Sequence, residues 1–235
     1  MNILLIHGWN YKNYYNKTND IAWANRLDFI KDLEKKYNVY YPDLPGFGKN
    51  KSPKETKWSL DDYCKYIDNY IKDNKLNIDY IIGYSFGGAV AINYKYKFNK
   101  DIKLILISPA IIRNNKKSKK FITTPKIFTP IRNKLRDFYL INIAKTKEMV
   151  YGDRFLRNTY QDIVRINMLP ILEKLNYRDI KIIYGKDDDM VLPYEVYNKI
   201  NNNFKKQITI IDGDHDIANT NKDKLVTIIT ETIDN

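Results

Sequence analysis

Residues 83–87 read Gly-Tyr-Ser-Phe-Gly and place Ser85 in the pattern G-x-S-x-G. The strand-like run Tyr80-Ile81-Ile82 leads directly into this pattern, and a run of small residues suited to the start of a helix follows it. A sharp turn between a strand and a helix lifts a serine hydroxyl above the C-terminal edge of a sheet, where α/β folds bind ligands. The spacing therefore predicts Ser85 as a nucleophile.

A serine hydroxyl is a weak nucleophile and needs a neighbouring base, which in turn needs an orienting group. His215 is the only histidine in the C-terminal half, and it lies in a polar loop after the apolar run 208–211. We expect His215 to be the base. Three adjacent acids, Asp187, Asp188 and Asp189, are candidates for the orienting carboxylate.

The elements that must position these residues follow an alternating pattern. Six short runs are apolar throughout, as buried parallel strands are, and they cover residues 2–6, 37–41, 80–82, 102–107, 180–184 and 207–211. Helical patterns separate them, and the one that begins at Ser59 carries a capping box with Asp62 in its third position. This alternation predicts an α/β fold with a doubly wound parallel sheet of six strands.

One segment breaks the alternation. Residues 111–170 contain no clear strand, and residues 111–147 hold eleven Lys or Arg against one acid, Asp137. Because a single crossover helix needs far fewer residues, we expect a helical cap inserted at 111–170, and a core formed by 1–110 and 171–235. Its apolar residues would line an acyl pocket: Phe121, Ile122, Ile127, Phe128, Phe138, Tyr139, Leu140 and Ile141.

Four motifs in the order and at the spacing of one family carry a resemblance. They are His7-Gly8-Trp9, the loop Asp43–Gly48, the loop 185–193 with its three aspartates, and Gly213-Asp214-His215. With the Gly-Tyr-Ser-Phe-Gly turn, the chain resembles the α/β-hydrolase superfamily, of the serine esterase and lipase type. The resemblance does not extend to the segment 111–170.

The resemblance implies a role for several residues. Asp188 matches the triad acid in the fourth position of its loop, although Asp187 or Asp189 would fit a loop shifted by one residue. The backbone N–H groups of Phe86, which follows the nucleophile, and of Trp9 match the oxyanion hole. His7 and the Asp43–Gly48 turn are expected to be scaffold.

The chain also departs from the family pattern. The usual leading antiparallel hairpin is absent, which implies a six-stranded sheet in the spatial order 2-1-3-4-5-6. Serine at the elbow argues against the dehalogenase and epoxide hydrolase branches, whose nucleophile is a carboxylate. The expected reaction is hydrolysis of a carboxylic ester or thioester through an acyl-enzyme. Two alternatives stay open: a lysophospholipase or monoacylglycerol lipase acting at a membrane surface, and a non-catalytic ligand-binding protein on the same fold.

Composition narrows the partners further. The 235 residues include two His and one Cys, so we expect neither a metal site nor a cofactor. The net charge of +12 alone assigns no partner; no nucleic acid is expected, and the basic segment is either a solvated face or a contact for an anionic lipid or membrane surface. No long apolar run or secretory signal pattern is present, so we expect a cytoplasmic location; the sequence assigns no oligomeric state.

Overall fold

The centre of the fold is one sheet of six parallel strands, seen in a computed structural model that describes residues 1–17, 20–99, 101–112, 139–143 and 145–235. The strands are β1 (Asn2–Ile6), β2 (Asn38–Tyr40), β3 (Tyr80–Tyr84), β4 (Lys103–Ile107), β5 (Ile180–Gly185) and β6 (Ile208–Ile211). Their spatial order is β2-β1-β3-β4-β5-β6, and every neighbouring pair is parallel. The prediction of an α/β fold with this sheet is confirmed.

Helices cover both faces of the sheet. Within the described residues the α-helices are α1 (Leu27–Glu34), α2 (Leu60–Asp73), α3 (Phe86–Lys97), α4 (Lys147–Tyr151), α5 (Arg154–Ile163), α6 (Leu169–Leu172), α7 (Pro193–Lys199), α8 (Asn202–Lys205), α9 (Ile217–Thr220) and α10 (Lys222–Asp234). Short 3-10 turns lie at Tyr11–Asn13, Ala24–Arg26 and Tyr177–Asp179, and a π-helical turn at Tyr139–Ile143. No helix of the described chain is long and apolar enough to cross a bilayer.

Strand β1 shows why the central strands are apolar at every position. Leu4 and Ile6 pack into the hydrophobic layer that also holds residues of α2 and α3. Ile3 and Leu5 pack into the opposite layer, against α1 and α10. Alternate residues of a strand point to opposite faces, so a sheet covered by helices on both sides excludes water from both sets.

The start of α2 and the end of β3 can be compared with the sequence-based expectations. Helix α2 begins with the predicted capping box: the Ser59 hydroxyl accepts from the Asp62 N–H, and the Asp62 carboxylate accepts from the Ser59 N–H. Strand β3 extends past the predicted residue 82, because Gly83 and Tyr84 continue the pairing with β4. The strand therefore delivers the chain to Ser85 without an intervening loop.

The described part of the predicted cap is helical. Between β4 and residue 170 it holds the π-helical turn, α4, α5 and the start of α6, and no strand is seen in this described part. Helix α5 buries Phe155, Leu156, Thr159 and Ile163. Of the predicted pocket residues, Tyr139, Leu140 and Ile141 lie in the π-helical turn, whereas residues 121, 122, 127, 128 and 138 lie outside the described residues. The core and cap boundaries stay a prediction.

Candidate active site

Ser85 lies in the sharp turn between β3 and α3. Its backbone has φ 50° and ψ −111°, a conformation that L-residues rarely adopt and that surrounding contacts must hold in place. The Ser85 N–H donates to the Ile107 carbonyl at 2.9 Å, and the Ser85 carbonyl accepts from the N–H groups of Gly88 and Ala110 at 3.0 and 2.9 Å. Strand β4 and the residues that follow it therefore fix the strained turn.

Two glycines of the turn are required by close backbone contacts. A Cβ at Gly87 would lie 2.0 Å from the Ile6 carbonyl oxygen, and one at Gly83 would lie 2.6 Å from the Gly87 carbonyl oxygen. Neither backbone can give way, because both belong to the sheet or to the turn itself. The glycines of the motif thus permit α3 to start directly against β1.

The imidazole of His215 lies between Ser85 and Asp188. Its Nε2 is 3.0 Å from the Ser85 Oγ, and its Nδ1 is 2.8 Å from the Asp188 Oδ2. A carboxylate only accepts hydrogen bonds, so in the neutral ring Nδ1 carries the proton and Nε2 is left to accept from the serine hydroxyl. This order of contacts is the one that general-base activation of a serine requires.

The carboxylate of Asp188 is fully buried, and all its contacts favour the ionised form. Burial alone would raise its pKa, but the hydrogen bond and charge interaction with His215 and the N–H groups of Val191 and Met190 lower the pKa below its ordinary value. The Met190 and Val191 N–H groups donate to Oδ1 at 2.9 and 3.2 Å. Asp188 is therefore ionised and rigidly held at neutral pH.

The other two aspartates of this loop point elsewhere. Asp187 and Asp189 are exposed to solvent, and neither contacts the imidazole of His215. Of the three acids that the sequence left open, the structure brings Asp188 to His215.

The predicted oxyanion donors border Ser85 on two sides. Phe86 is the first residue of α3, and a Cβ built on Gly8 would lie 3.2 Å from the Ser85 Cβ, so the loop that carries Trp9 runs beside Ser85. Neither the Trp9 nor the Phe86 backbone N–H has a hydrogen-bond acceptor among the described residues. Both donors are therefore available to an anion formed at Ser85.

Comparison with known families decides the family of this chain. Residues 2–120, just over half the chain, match the sequence profile of the alpha/beta hydrolase fold family. The chain belongs to the α/β-hydrolase fold family.

Named relatives of this α/β hydrolase include ester hydrolases. It is 27% identical over 243 residues to a pimeloyl-[acyl-carrier protein] methyl ester esterase from Wigglesworthia glossinidia brevipalpis, with 92% of this chain and 86% of the relative covered. The protein of the same name from Pseudoalteromonas atlantica is 29% identical over 117 residues. That second match covers 48% of this chain and only 40% of the relative.

A solved structure supports the same fold. A variant of the meta-cleavage product hydrolase from Pseudomonas fluorescens superposes with a TM-score of 0.67 at 20% sequence identity. The superposition covers 99% of this α/β hydrolase and 90% of the other chain. At that identity the likeness concerns the fold alone.

In this α/β hydrolase, His7 directly follows strand β1 and begins the loop that carries Trp9. Its Nδ1–H donates to the Gly8 carbonyl at 2.8 Å, and its Nε2 accepts from the Leu44 N–H at 2.9 Å. Burial lowers its pKa to about 4, so the ring is neutral at pH 7. The Asp43 carboxylate accepts from the N–H groups of Ala22 and Lys49 at 2.7 and 2.8 Å. The Asp43–Gly48 loop is thus tied to its surroundings, as expected of scaffold.

An aromatic wall formed by Trp9, Phe86 and Tyr160 lies beside Ser85, and only the contribution of Tyr160 was not expected from the sequence. The Trp9 ring lies 5.4 Å from the Phe86 ring and 5.5 Å from the Tyr160 ring of α5, measured between centroids. Its Nε1–H donates to the Tyr14 hydroxyl at 2.6 Å. The wall joins distant parts of the chain, and no local pattern predicts such contacts.

The sequence-based expectation for this α/β hydrolase includes neither a metal nor a cofactor. Over the described ranges, no cluster of three or more His, Cys, Asp or Glu side chains is arranged to hold a metal ion. The expectation that neither a metal nor a cofactor takes part stays a prediction.

Proposed function

We propose that this α/β hydrolase is a serine hydrolase that cleaves a carboxylic ester, or a thioester, through an acyl-enzyme. The observation that carries the proposal is the line of contacts from Ser85 through His215 to Asp188, at 3.0 and 2.8 Å. The chain order Ser, Asp, His and the strained turn at the nucleophile add to it.

In the first half of the reaction, the Ser85 Oγ attacks the carbonyl carbon of the ester as Nε2 of His215 takes its proton. The carbonyl oxygen becomes an anion that the Trp9 and Phe86 N–H groups stabilise, each worth about 3 kcal/mol to the transition state. The anion collapses, His215 protonates the leaving alkoxide or thiolate, and the acyl group stays on Ser85.

In the second half, His215 takes a proton from water, which attacks the acyl carbon. The resulting anion occupies the same pair of N–H groups and collapses to the free acid as His215 returns the proton to the Ser85 Oγ. Throughout, the buried carboxylate of Asp188 fixes the ring orientation and stabilises the imidazolium.

The bond type is supported by the relatives named as methyl ester esterases. The acyl group would lie along the aromatic wall of Trp9, Phe86 and Tyr160 and beneath the cap. A series of p-nitrophenyl esters from C2 to C16 measures the depth of this pocket. Turnover that peaks at one chain length supports an acyl pocket, and no turnover with any member contradicts the esterase proposal.

A fluorophosphonate probe separates the enzyme from a non-catalytic ligand-binding protein on the same fold. Wild type and Ser52→Ala should label, and Ser85→Ala should not. Ser52 is a suitable control because its hydroxyl is buried and has no hydrogen-bond partner in the described structure. Absence of labelling in folded wild type would favour the ligand-binding alternative.

A lipid substrate at an anionic membrane surface is a second candidate, favoured by one exposed surface. Tyr15, Val150 and Tyr151 are each 38% exposed, and the Lys17 Nζ lies 3.8 Å from the centroid of the Tyr151 ring. Aromatic and aliphatic side chains with lysines suit the interface of anionic lipids. Most of the basic segment 111–147 lies outside the described residues.

Flotation with phosphatidylglycerol vesicles tests this candidate. Wild type should float at low salt and release at high salt, and the pair Lys17→Gln and Tyr151→Ser should weaken binding. If wild type binds at neither salt concentration, the membrane candidate is wrong.

The division into a core and a cap, and a cytoplasmic location, are likewise proposals.

A further inference from the structure

Tyr84 connects the strand of the nucleophile to the loop of the base. Its hydroxyl donates to the backbone carbonyl of His215 at 2.6 Å. Burial raises the pKa of Tyr84 well above its ordinary value, so the hydroxyl stays protonated and remains a donor. Within the described structure, this is the hydrogen bond that joins the main chain of His215 to β3, the strand that directly precedes Ser85.

Arg26 braces Tyr84 from the outside. The guanidinium carbon lies 4.5 Å from the centroid of the Tyr84 ring, a cation–π contact. The same guanidinium donates through Nε and Nη2 to Oδ1 of Asp216, at 2.8 and 2.7 Å. Asp216 follows His215 directly, so Arg26 contacts both the Tyr84 ring and the loop whose backbone accepts the Tyr84 hydrogen bond.

The loop that carries His215 needs this support. It contains Gly213, which has φ 127°, and His215 itself lies in neither strand nor helix. The ring must nevertheless keep Nε2 at 3.0 Å from the Ser85 Oγ. A displacement of about 1 Å at such a contact costs up to about 100-fold in rate.

We propose that Tyr84, braced by Arg26, is a positioning residue that holds the His215 imidazole over Ser85 through the backbone of His215. The inference rests on the proposed serine hydrolase function. Because Tyr84 precedes Ser85 directly in the chain, a shift of the turn at Ser85 also moves Tyr84, and with it the hydrogen bond to the backbone of His215. The spacing between hydroxyl and imidazole is thereby kept constant.

Tyr84→Phe tests this role, since it removes only the hydroxyl and keeps the ring that Arg26 contacts. On a p-nitrophenyl ester we expect kcat to fall about tenfold, with KM within twofold, because the substrate pocket is unchanged. Tyr37→Phe is the matched control: its hydroxyl donates to Asp234 at 2.9 Å, in the same hydrophobic layer but away from the site. That variant should keep wild-type kcat. Equal kcat in Tyr84→Phe and wild type would overturn the proposal.

Histidine side-chain NMR supplies a readout that does not need turnover. The chain has two histidines, so a ¹⁵N-histidine sample gives two imidazoles, with buried His7 as the internal reference. We expect Tyr84→Phe to broaden or remove the Nδ1 proton signal of His215 and to leave that of His7 unchanged. An unchanged His215 signal would contradict the proposal. If wild type neither labels nor turns over, the hydrolase function fails, and the NMR comparison still decides the role of Tyr84.

Arg26→Gln is the second variant, should Tyr84→Phe not fold. It keeps the tyrosine hydroxyl but removes the ion pair with Asp216. We therefore expect kcat to fall about threefold, which is less than in Tyr84→Phe. Unchanged kcat and an unchanged His215 signal in this variant would remove Arg26 from the proposal.

Discussion

The carboxylate of Asp188 lies 2.8 Å from Nδ1 of His215 and has no solvent exposure of its own. An exposed carboxylate would also accept hydrogen bonds from water and would restrict the orientation of the ring less. A buried one with two further N–H donors is restricted to one position, and so is the ring that it contacts.

Asp188→Asn should lower kcat by about 10³- to 10⁴-fold, because an amide can hold the imidazole in the wrong tautomer and cannot stabilise the imidazolium. Steady-state hydrolysis of the preferred p-nitrophenyl ester gives the measurement. The neighbouring variants Asp187→Asn and Asp189→Asn serve as controls, since both side chains are exposed, and should stay within about twofold of wild type. If either control lost more kcat than Asp188→Asn, the assignment of Asp188 as the triad acid would be wrong.

Acid should destabilise the protein through His7. Its pKa is about 4 in the folded protein and 6.5 as the ordinary value, so between these pH values the unfolded chain binds a proton that the folded chain does not. The free energy of unfolding should therefore fall by about 3 kcal/mol as pH falls from 6.5 to 4. Urea unfolding at pH 7, 5.5 and 4 measures this.

The control for this prediction is His7→Gln. It should lower stability at pH 7, because the bonds to Gly8 and Leu44 are disturbed, yet show a shallower pH dependence from pH 6.5 to 4. The same slope in variant and wild type would assign the acid sensitivity to other groups.

Gly87→Ala should destabilise the fold by at least about 3 kcal/mol, or prevent folding, since the new Cβ would overlap the Ile6 carbonyl. Thermal unfolding measures the effect. Gly8→Ala is the comparison: its Cβ would lie 3.2 Å from the Ser85 Cβ, so it should cost less stability and act mainly on kcat. Equal losses of stability in the two variants would contradict this steric explanation.

Trp9→Phe should retain kcat within about threefold, because the proposed oxyanion donor is the backbone N–H and not the indole. The chain-length preference should shift, since the Trp9 ring contacts Phe86 and Tyr160 in the aromatic wall. The p-nitrophenyl ester series measures both. A loss of kcat beyond about 100-fold in a variant with wild-type thermal stability would indicate that the side chain takes part in the reaction.

The fold could be predicted from the sequence because the patterns that indicate its strands and helices involve residues close together in the chain. Continuous apolar runs mark strands buried on both faces, and the box of Ser59 and Asp62 lies within four residues. Strand ends were less accurate: β3 runs on through Tyr84 because β4 pairs with it there, which is a contact between distant residues.

The site was readable only in part. Ser85 and His215 stand in recognisable turns, and the resemblance selects Asp188 by its position in the loop. The residues alone leave Asp187 and Asp189 as alternatives, because spacing does not show which side chain the loop turns inward. The bond from Tyr84 to His215 spans 131 residues and involves a tyrosine in a position of the motif that any residue can occupy. No periodicity or spacing predicts a contact of that kind.

The bond from the Ala110 N–H to the Ser85 carbonyl has a practical consequence for protein engineering. The last residues before the predicted cap help to hold Ser85 in its strained turn. A chimaera that exchanges the predicted cap should therefore join after Ala110, because a graft that begins earlier would replace the backbone that contacts Ser85.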